Sequence, residues 1–455
     1  MSAILTGLFG RGRLLGAALL LAAAPSLAPV DRALAQHQGL VGLREIAGKR
    51  PAGPVYARPP HLDNAAERAE LSFALSAPVK ATSFVLAAPD RIVVELPQVE
   101  FAPAPADAGQ VRHRRAGADK PGGLVASYRF GLFAPGKSRI VIDLTAPARV
   151  LRATSVSDRD GTRLIVALGR SDRASFLAAA RHDLQAAEAD TPAAAPAEAA
   201  SGNGLPIVVV DPGHGGIDSG AMVRGLVEKN IVFAFARELA DKLRASGHYK
   251  VIMTRDSDVF VALGDRVKIA RDAGASLFVS IHADTISDAS SVSGATVYTC
   301  SEHASDAEAA RTAEKENQAD AVAGVESKDD DSGVSDILFD LTRQETRTYS
   351  HVFARTLVNY WQVAARLNKN PERSAGFRVL KAPDVPSVLI ELGYLSNAAD
   401  GSALTSARWR GTTTNKVAGA IDAFFTAKGV LPEKASADAA APAVPLDSTP
   451  TAAVK

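Results

Sequence analysis

The chain has 455 residues, 47% apolar and 22% charged, with a formal net charge of +1. That gives room for about two or three domains of soluble globular composition, and it lacks the overall basic field that nucleic-acid binding requires. Cys300 is the only cysteine, which excludes an intrachain disulfide and a thiolate zinc cluster, so any metal must be held by histidine and carboxylate.

Arg11 and Arg13 precede the apolar run 14–24, and Ala33-Leu34-Ala35 offers a small-x-small cleavage signal ahead of Gln36. This is the layout of a bacterial secretory signal peptide over 1–35. The apolar run is too short to span a bilayer comfortably, and no later stretch is long and apolar enough to do so. No Arg-Arg pair precedes the apolar run, which favours the general secretory route. The expectation is an exported protein with no transmembrane segment once the signal is cleaved.

Residues 36–65 are rich in Gly, Pro and charge, without periodicity, and read as a connector. Short runs of mixed apolar and polar residues then follow one another: Glu70–Leu75, Ala81–Leu86, Asp90–Leu96, Val125–Phe130, Ser138–Leu144, Arg149–Ser155 and Thr162–Leu168. Turn signals separate them at 88–90, 134–136 and 160–161. About seven or eight strands without a helical stretch predict a small all-β sandwich over 66–172. It holds no catalytic constellation, which leaves a binding module or a spacer. The twin phrases Asp90-Arg-Ile-Val-Val-Glu-Leu96 and Ser138-Arg-Ile-Val-Ile-Asp-Leu144 each carry an Arg at the strand's entry and an acid near its end. In this the region resembles the amidase N-terminal (AMIN) domain of cell-wall enzymes, which implies targeting to septal peptidoglycan.

Residues 173–204, with Thr191-Pro-Ala-Ala-Ala-Pro at their centre, have too few large apolar residues for a core and read as an Ala/Pro-rich flexible linker. The tail 429–455 is similar, and disorder is expected there. Between them, 205–428 alternate strand and helix patterns. Ile207–Val210 is a β-branched strand, and Phe235, Leu239 and Leu243 mark an amphipathic helix ending near Gly247. Tyr249–Thr254, Leu277–His282, Ala295–Thr299 and Ser387–Glu391 are further strands; 264–273, 349–367 and 412–427 are helical. The fold class predicted is α/β, a mainly parallel sheet with helices on both faces, preceded by the all-β domain.

His214 lies in the turn Pro212-Gly-His-Gly-Gly216 just past the first strand, where a lone histidine would more often be structural than a ligand. His282 and Glu391 end two other apolar strands, and Glu228 opens the helix after the first turn. In a parallel sheet the carboxyl ends of the strands share one edge, so these side chains are candidates to converge there. Two imidazoles and a carboxylate with an open position is how catalytic zinc is held, and a further carboxylate is then needed as general base. Taken singly, Glu228 reads equally well as a first-turn carboxylate favoured by the helix dipole.

His214-Gly-Gly-Ile-Asp218-Ser-Gly-Ala, Glu228, Ser280-Ile-His282-Ala-Asp and Glu391-Leu-Gly-Tyr-Leu-Ser-Asn397 together resemble, in order, the four signatures of the zinc-dependent N-acetylmuramoyl-L-alanine amidases. The resemblance implies Zn2+ held by His214, Glu228 and His282, with Glu391 as the catalytic carboxylate. It also implies the substrate: the amide between the lactyl group of muramic acid and the L-alanine of the peptidoglycan stem peptide, cut for wall remodelling and daughter-cell separation. Two departures stand out, Asp284 where Asn is commoner and Tyr394 where Phe is. Gly213, Gly215 and Gly216 are expected to leave room for the metal and a bulky substrate. The setting implied is the periplasm of a Gram-negative bacterium, and a monomer is expected. The alternative is a catalytically silent wall-binding or regulatory protein of the same fold, against which the intact histidines and Glu391 argue.

Residues 301–345 form an extra segment in which acidic residues outnumber basic ones roughly threefold. Residues 306–323 read as a polar helix, 326–333 as a solvated acidic loop and 337–341 as an apolar helical patch. Ala313-Glu-Lys-Glu-Asn-Gln-Ala-Asp320 resembles the core of the autoinhibitory helix of division-type amidases. That implies Glu314 or Glu316 at the zinc's open position, displaced by an activator protein of the division machinery. A solvated surface helix is the alternative.

Overall fold

In the computed structural model the described residues are 54–102, 122–189, 204–286, 291–325 and 337–431. The expected signal peptide, the inner part of the linker, the acidic loop and nearly all of the tail lie outside them. The first ten strands are β1 (Val55–Ala57), β2 (His61–Asn64), β3 (Arg68–Leu75), β4 (Thr82–Leu86), β5 (Arg91–Pro97), β6 (Val99–Phe101), β7 (Val125–Ala134), β8 (Lys137–Leu144), β9 (Ala148–Asp158) and β10 (Gly161–Arg170). They form two facing sheets, one in the order β6-β1-β3-β10-β9 with β2 also on β3, the other β4-β5-β8-β7. The inner faces share a core of Leu71, Phe73, Ile92, Val94, Ile140, Ile142 and Leu164, among others. Strands begin earlier than the sequence suggests, because β1 and β2 fall in the expected connector; both are short and sit beside β3.

The two sheets differ in periodicity. β3 alternates buried and exposed residues nearly throughout, whereas β5 buries Arg91, Ile92, Val93 and Val94 in succession and β8 buries Ser138 through Ile142. An unbroken buried run means that both faces of the strand are covered. The outer cover is a second apolar cluster, in which Val93 and Val141 meet Ile217, Phe260 and Ala323 from farther down the chain.

The expected linker is helical in its first part: α1 spans Arg173–Ala189. Its composition is rich in good helix formers, Asp172 accepts from the Ser175 N–H at 2.9 Å as a cap, and Phe176 and Ala180 are buried, Phe176 within the sandwich core. Few large side chains are needed when a helix lies on a ready-made surface.

The second domain comprises β11 (Ile207–Pro212), the small ribbon β12 (Met222–Val223) and β13 (Leu226–Val227), α2 (Glu228–Ser246), β14 (Lys250–Met253), α3 (Leu263–Asp272), β15 (Leu277–His282), β16 (Ala295–Cys300), α4 (Ala307–Glu316), α5 (Ala319–Val322), α6 (Ile337–Trp361), β17 (Leu367–Ala375), β18 (Ser387–Glu391), α7 (Ala398–Thr405) and α8 (Ala407–Ala427). The sheet order is β14-β11-β15-β18-β16-β17, with β14, β11, β15 and β18 parallel and β16 antiparallel to β18. Helices α2, α6 and α8 pack on one face, and α3 and α4 on the other. This is the expected α/β architecture.

Edge strand β17 is absent from the sequence expectation. Its residues are mostly polar and include Pro371, a composition that fits only the rim of a sheet. The extra segment does not stand apart as one helix. Ala309 and Ala313 of α4 lie in the same core cluster as Tyr298 and Phe377. Its last part is the beginning of α6, which runs from 337 rather than 349. No described helix is long and apolar enough to cross a membrane.

Candidate metal centre

The register of the parallel strands brings the candidates together. His282 and Glu391 are direct neighbours across β15 and β18, and Pro212, the last residue of β11, lies beside Ile281. The chain then turns so that His214 takes a positive φ of 57°, a conformation uncommon for a residue with a side chain. The turn is gripped from below. Arg255 donates to the carbonyls of Pro212 and Gly213 at 3.0 and 2.9 Å, and Arg266 to those of Pro212 and His214, both at 2.9 Å. Arg266 is itself fixed by a buried ion pair of 2.6 Å with Asp211, which also accepts from Ser280 and Thr254. Burial raises the Asp211 carboxyl, but Arg266 and the two hydroxyls outweigh it and hold it below the usual range.

His214 Nε2 stands 3.1 Å from Glu228 Oε1, and His282 Nδ1 stands 3.4 Å from the same oxygen. The ligand atoms of His214, Glu228 and His282 all lie within 4.8 Å of one another. Glu228 is fully buried, and backbone N–H groups hold both its oxygens, Ala221 to Oε2 at 2.7 Å and Ala283 to Oε1 at 2.8 Å. On the other side of His214, Nδ1 meets Asp218 Oδ2 at 2.8 Å. Glu391 completes the group: its Oε2 accepts from the Asp284 N–H at 2.9 Å, and its Oε1 has no partner.

Of the two glutamates singled out in the extra segment, only Glu316 reaches this point. Its Oε2 lies 3.0 Å from His282 Nδ1 and 3.5 Å from His214 Nε2. Glu314 is exposed, which corrects the expectation that either would serve. The buried stripe of α4 is Ala309, Thr312, Ala313 and Glu316, and the helical period turns position 314 outward. Lys315, beside Glu316, pairs with Asp284, the position that departs from the commoner Asn. The glycines also work differently from expectation. A Cβ on Gly213 would fall 2.4 Å from His282 Cε1, and one on Gly216 1.9 Å from the Leu132 carbonyl oxygen. They make room for the second histidine and for the sandwich.

Four buried atoms, His214 Nε2, His282 Nδ1, Glu316 Oε2 and Glu391 Oε1, have no hydrogen-bond partner, and donor atoms of His282, Glu316 and Glu391 lie within 4.8 Å of one another. Buried polar groups are seldom left so, and two imidazoles with carboxylates are a donor set suited to a divalent cation. The charges agree with such a site. Burial opposes charge on His214, yet Asp218, Glu228 and Glu316 outweigh it and hold the imidazole well above its ordinary range. His282 is likewise pushed up to about 10, burial being overcome chiefly by Glu316 and Glu228. Glu391 is raised well above the carboxylate range by burial; the pull of His282 opposes this, and Glu228 and Glu316 add to it.

Sequence reasoning missed Asp218, Asp211, Arg255 and Arg266. Asp211 carried the same signal that marked Glu391, an acid directly after a buried apolar run, and it calls for a buried cation.

Comparison with known proteins gives two family matches. The family described as N-acetylmuramoyl-L-alanine amidase matches residues 208–423, and that described as AMIN domain matches 62–168. The chain is 33% identical over 359 residues to N-acetylmuramoyl-L-alanine amidase AmiC of Escherichia coli O6:H1, covering 76% of this chain and 84% of that protein. It is 33% identical over 372 residues to AmiC of Neisseria meningitidis serogroup B, covering 78% and 86%. With AmiA of Escherichia coli the identity is 37% over 230 residues, covering 50% of this chain and 79% of that protein.

Proposed function

The chain belongs to the N-acetylmuramoyl-L-alanine amidase family, and from that premise we propose that it cuts the lactyl–L-alanine amide of peptidoglycan at a zinc site that is blocked at rest by its own Glu316. The enzyme is an amidase carrying an AMIN domain; the metal, the roles of single residues, the block and the periplasmic setting are our reading. The observation that carries this reading is the buried cluster in which donor atoms of His214, Glu228 and His282, and of His282, Glu316 and Glu391, lie within 4.8 Å of one another.

His214 through Nε2, His282 through Nδ1 and Glu228 through Oε1 would hold the zinc. Bound there, it supplies Lewis-acid polarisation of the scissile carbonyl and a lowered pKa for water. Asp218 accepts from His214 Nδ1–H, which fixes the tautomer that leaves the Nε2 lone pair free. Glu391 is the proton carrier. The Asp284 N–H anchors one oxygen, and the other is free to take a proton from the attacking water and return it to the leaving amine.

Glu316 stands where substrate or water would have to enter. The reading therefore requires α4 to withdraw before catalysis, which gives a division-type activator protein its task. The expected signal peptide and the AMIN domain support a periplasmic enzyme of a Gram-negative bacterium acting on the wall. The test is dye release from labelled peptidoglycan sacculi with and without chelator, beside Glu391→Ala. Release lost to chelator and restored by zinc, and lost by at least about a hundredfold in the variant, is expected. Chelator-insensitive release or full activity of the variant would contradict the mechanism.

A further inference from the structure

The twin phrases of the sandwich serve no catalytic role, yet their arginines are among its most deeply placed charges. β5 and β8 run antiparallel in a register that sets Arg91 opposite Asp143 and Arg139 opposite Glu95. Each phrase thus supplies the acid that faces the other's arginine. Arg139 pairs with Glu95 at 2.6 Å and lies over the Phe133 ring at 3.5 Å; Arg129 of β7 pairs with Asp143 at 2.6 Å. Held in this way, the three guanidinium groups point out of the sheet at one target, the end of α5. Arg91 donates to the Ala321 carbonyl, Arg129 to that of Val322, and Arg139 to those of Ala323 and Gly324 at 2.9 and 3.2 Å.

These carbonyls lie at and just past the last turn of α5, and that of Ala321 also accepts from the Gly324 N–H at 3.1 Å. Apolar contact completes the seat. Ala323 is fully buried against Val93 and Val141, and a Cβ on Gly324 would fall 2.8 Å from Val93 Cγ2. The opposite side of the segment is held by the second domain, where Asp320 accepts from Leu263 N–H at 2.9 Å and so caps α3.

We propose that the outer face of the sandwich is an intramolecular docking surface for residues 321–325, and that Arg91, Arg129 and Arg139 latch the blocking segment over the metal centre. The AMIN domain is then part of the inhibitory apparatus as well as a wall-binding module. The inhibitory consequence rests on the reading of Glu316 given above; the latch itself does not.

Hydrogen exchange on the full chain tests it, comparing wild type with Arg129→Gln and Gly324→Ala. Arg129 is partly exposed, so its loss spares the sandwich core, and Gly324→Ala changes no sandwich residue but presses a Cβ on Val93 and Val141. Amides of 307–325 should exchange about tenfold faster in both variants, with sandwich amides unchanged. Unchanged protection of 307–325 in both would overturn the latch, and so would faster exchange confined to Gly324→Ala, whose positive φ of 68° strains the segment by itself. Wall hydrolysis by the same proteins and by Glu316→Gln separates the two ideas. Faster exchange with no rise in hydrolysis in any variant leaves the latch standing and removes the block. A rise in Glu316→Gln alone, with exchange unchanged in the other two, keeps the block and removes the latch.

Discussion

Two carboxylates face the same pair of imidazoles, and distance does not tell them apart. Glu228 lies 3.1 and 3.4 Å from the two ring nitrogens, Glu316 3.5 and 3.0 Å. What differs is how each is held. Both oxygens of Glu228 are fixed by backbone N–H groups of the site's own floor, at Ala221 and Ala283. Oε2 of Glu316 meets only the two imidazoles, and the residue is carried in on α4, which Arg373 holds through Glu308 and Asp284 holds through Lys315. A carboxylate fixed by the floor's own backbone stays with the site. One delivered by a separate helix can be taken away.

That contrast can be tested from its strong end to its weak one. Glu228→Gln should lower zinc affinity, read by calorimetric titration, by more than about a hundredfold, beyond what loss of an outer contact causes. An affinity within tenfold of wild type would place Glu228 outside the metal's shell. Asp218→Asn keeps the shape but donates poorly matched hydrogens to His214, and zinc affinity should fall by about ten- to a hundredfold. Lys315→Gln should act least. Lys315 is 45% exposed, so its pair with Asp284 is screened by solvent, and basal wall hydrolysis should rise by no more than about fivefold with zinc affinity unchanged. A fall in zinc affinity would mean that Lys315 supports the floor rather than the block.

The meeting of His214, His282 and Glu391 was largely legible in the sequence, and the place of Glu316 only partly. His214, His282 and Glu391 each follow an apolar run, and parallel strands must end on one edge, so local pattern implies their meeting. Glu228 needed the family resemblance, since an acid in a first helical turn is common. Choosing between Glu314 and Glu316 required the phase of α4. Only alanines and a threonine mark its buried side, and those residues say little about which way a helix faces. The latch shows the same limit. Asp90–Leu96 and Ser138–Leu144 read as ordinary mixed strands, and the outer cover of Val93 and Val141 comes from Ile217, Phe260 and Ala323, far away in the chain. Helix α1 and strand β17 were hidden because each lies on a surface made by other parts, and neither needs a strong apolar pattern of its own.

The most direct measurement is basal hydrolysis of purified sacculi by Glu316→Gln and by wild type, at equal zinc occupancy and without any activator. The amide keeps the size of the side chain but gives up the charge that faces His214 and His282. Hydrolysis by Glu316→Gln at about tenfold or more above wild type is the expected result. Equal rates, with zinc bound equally in both proteins, would mean that Glu316 does not guard the metal centre.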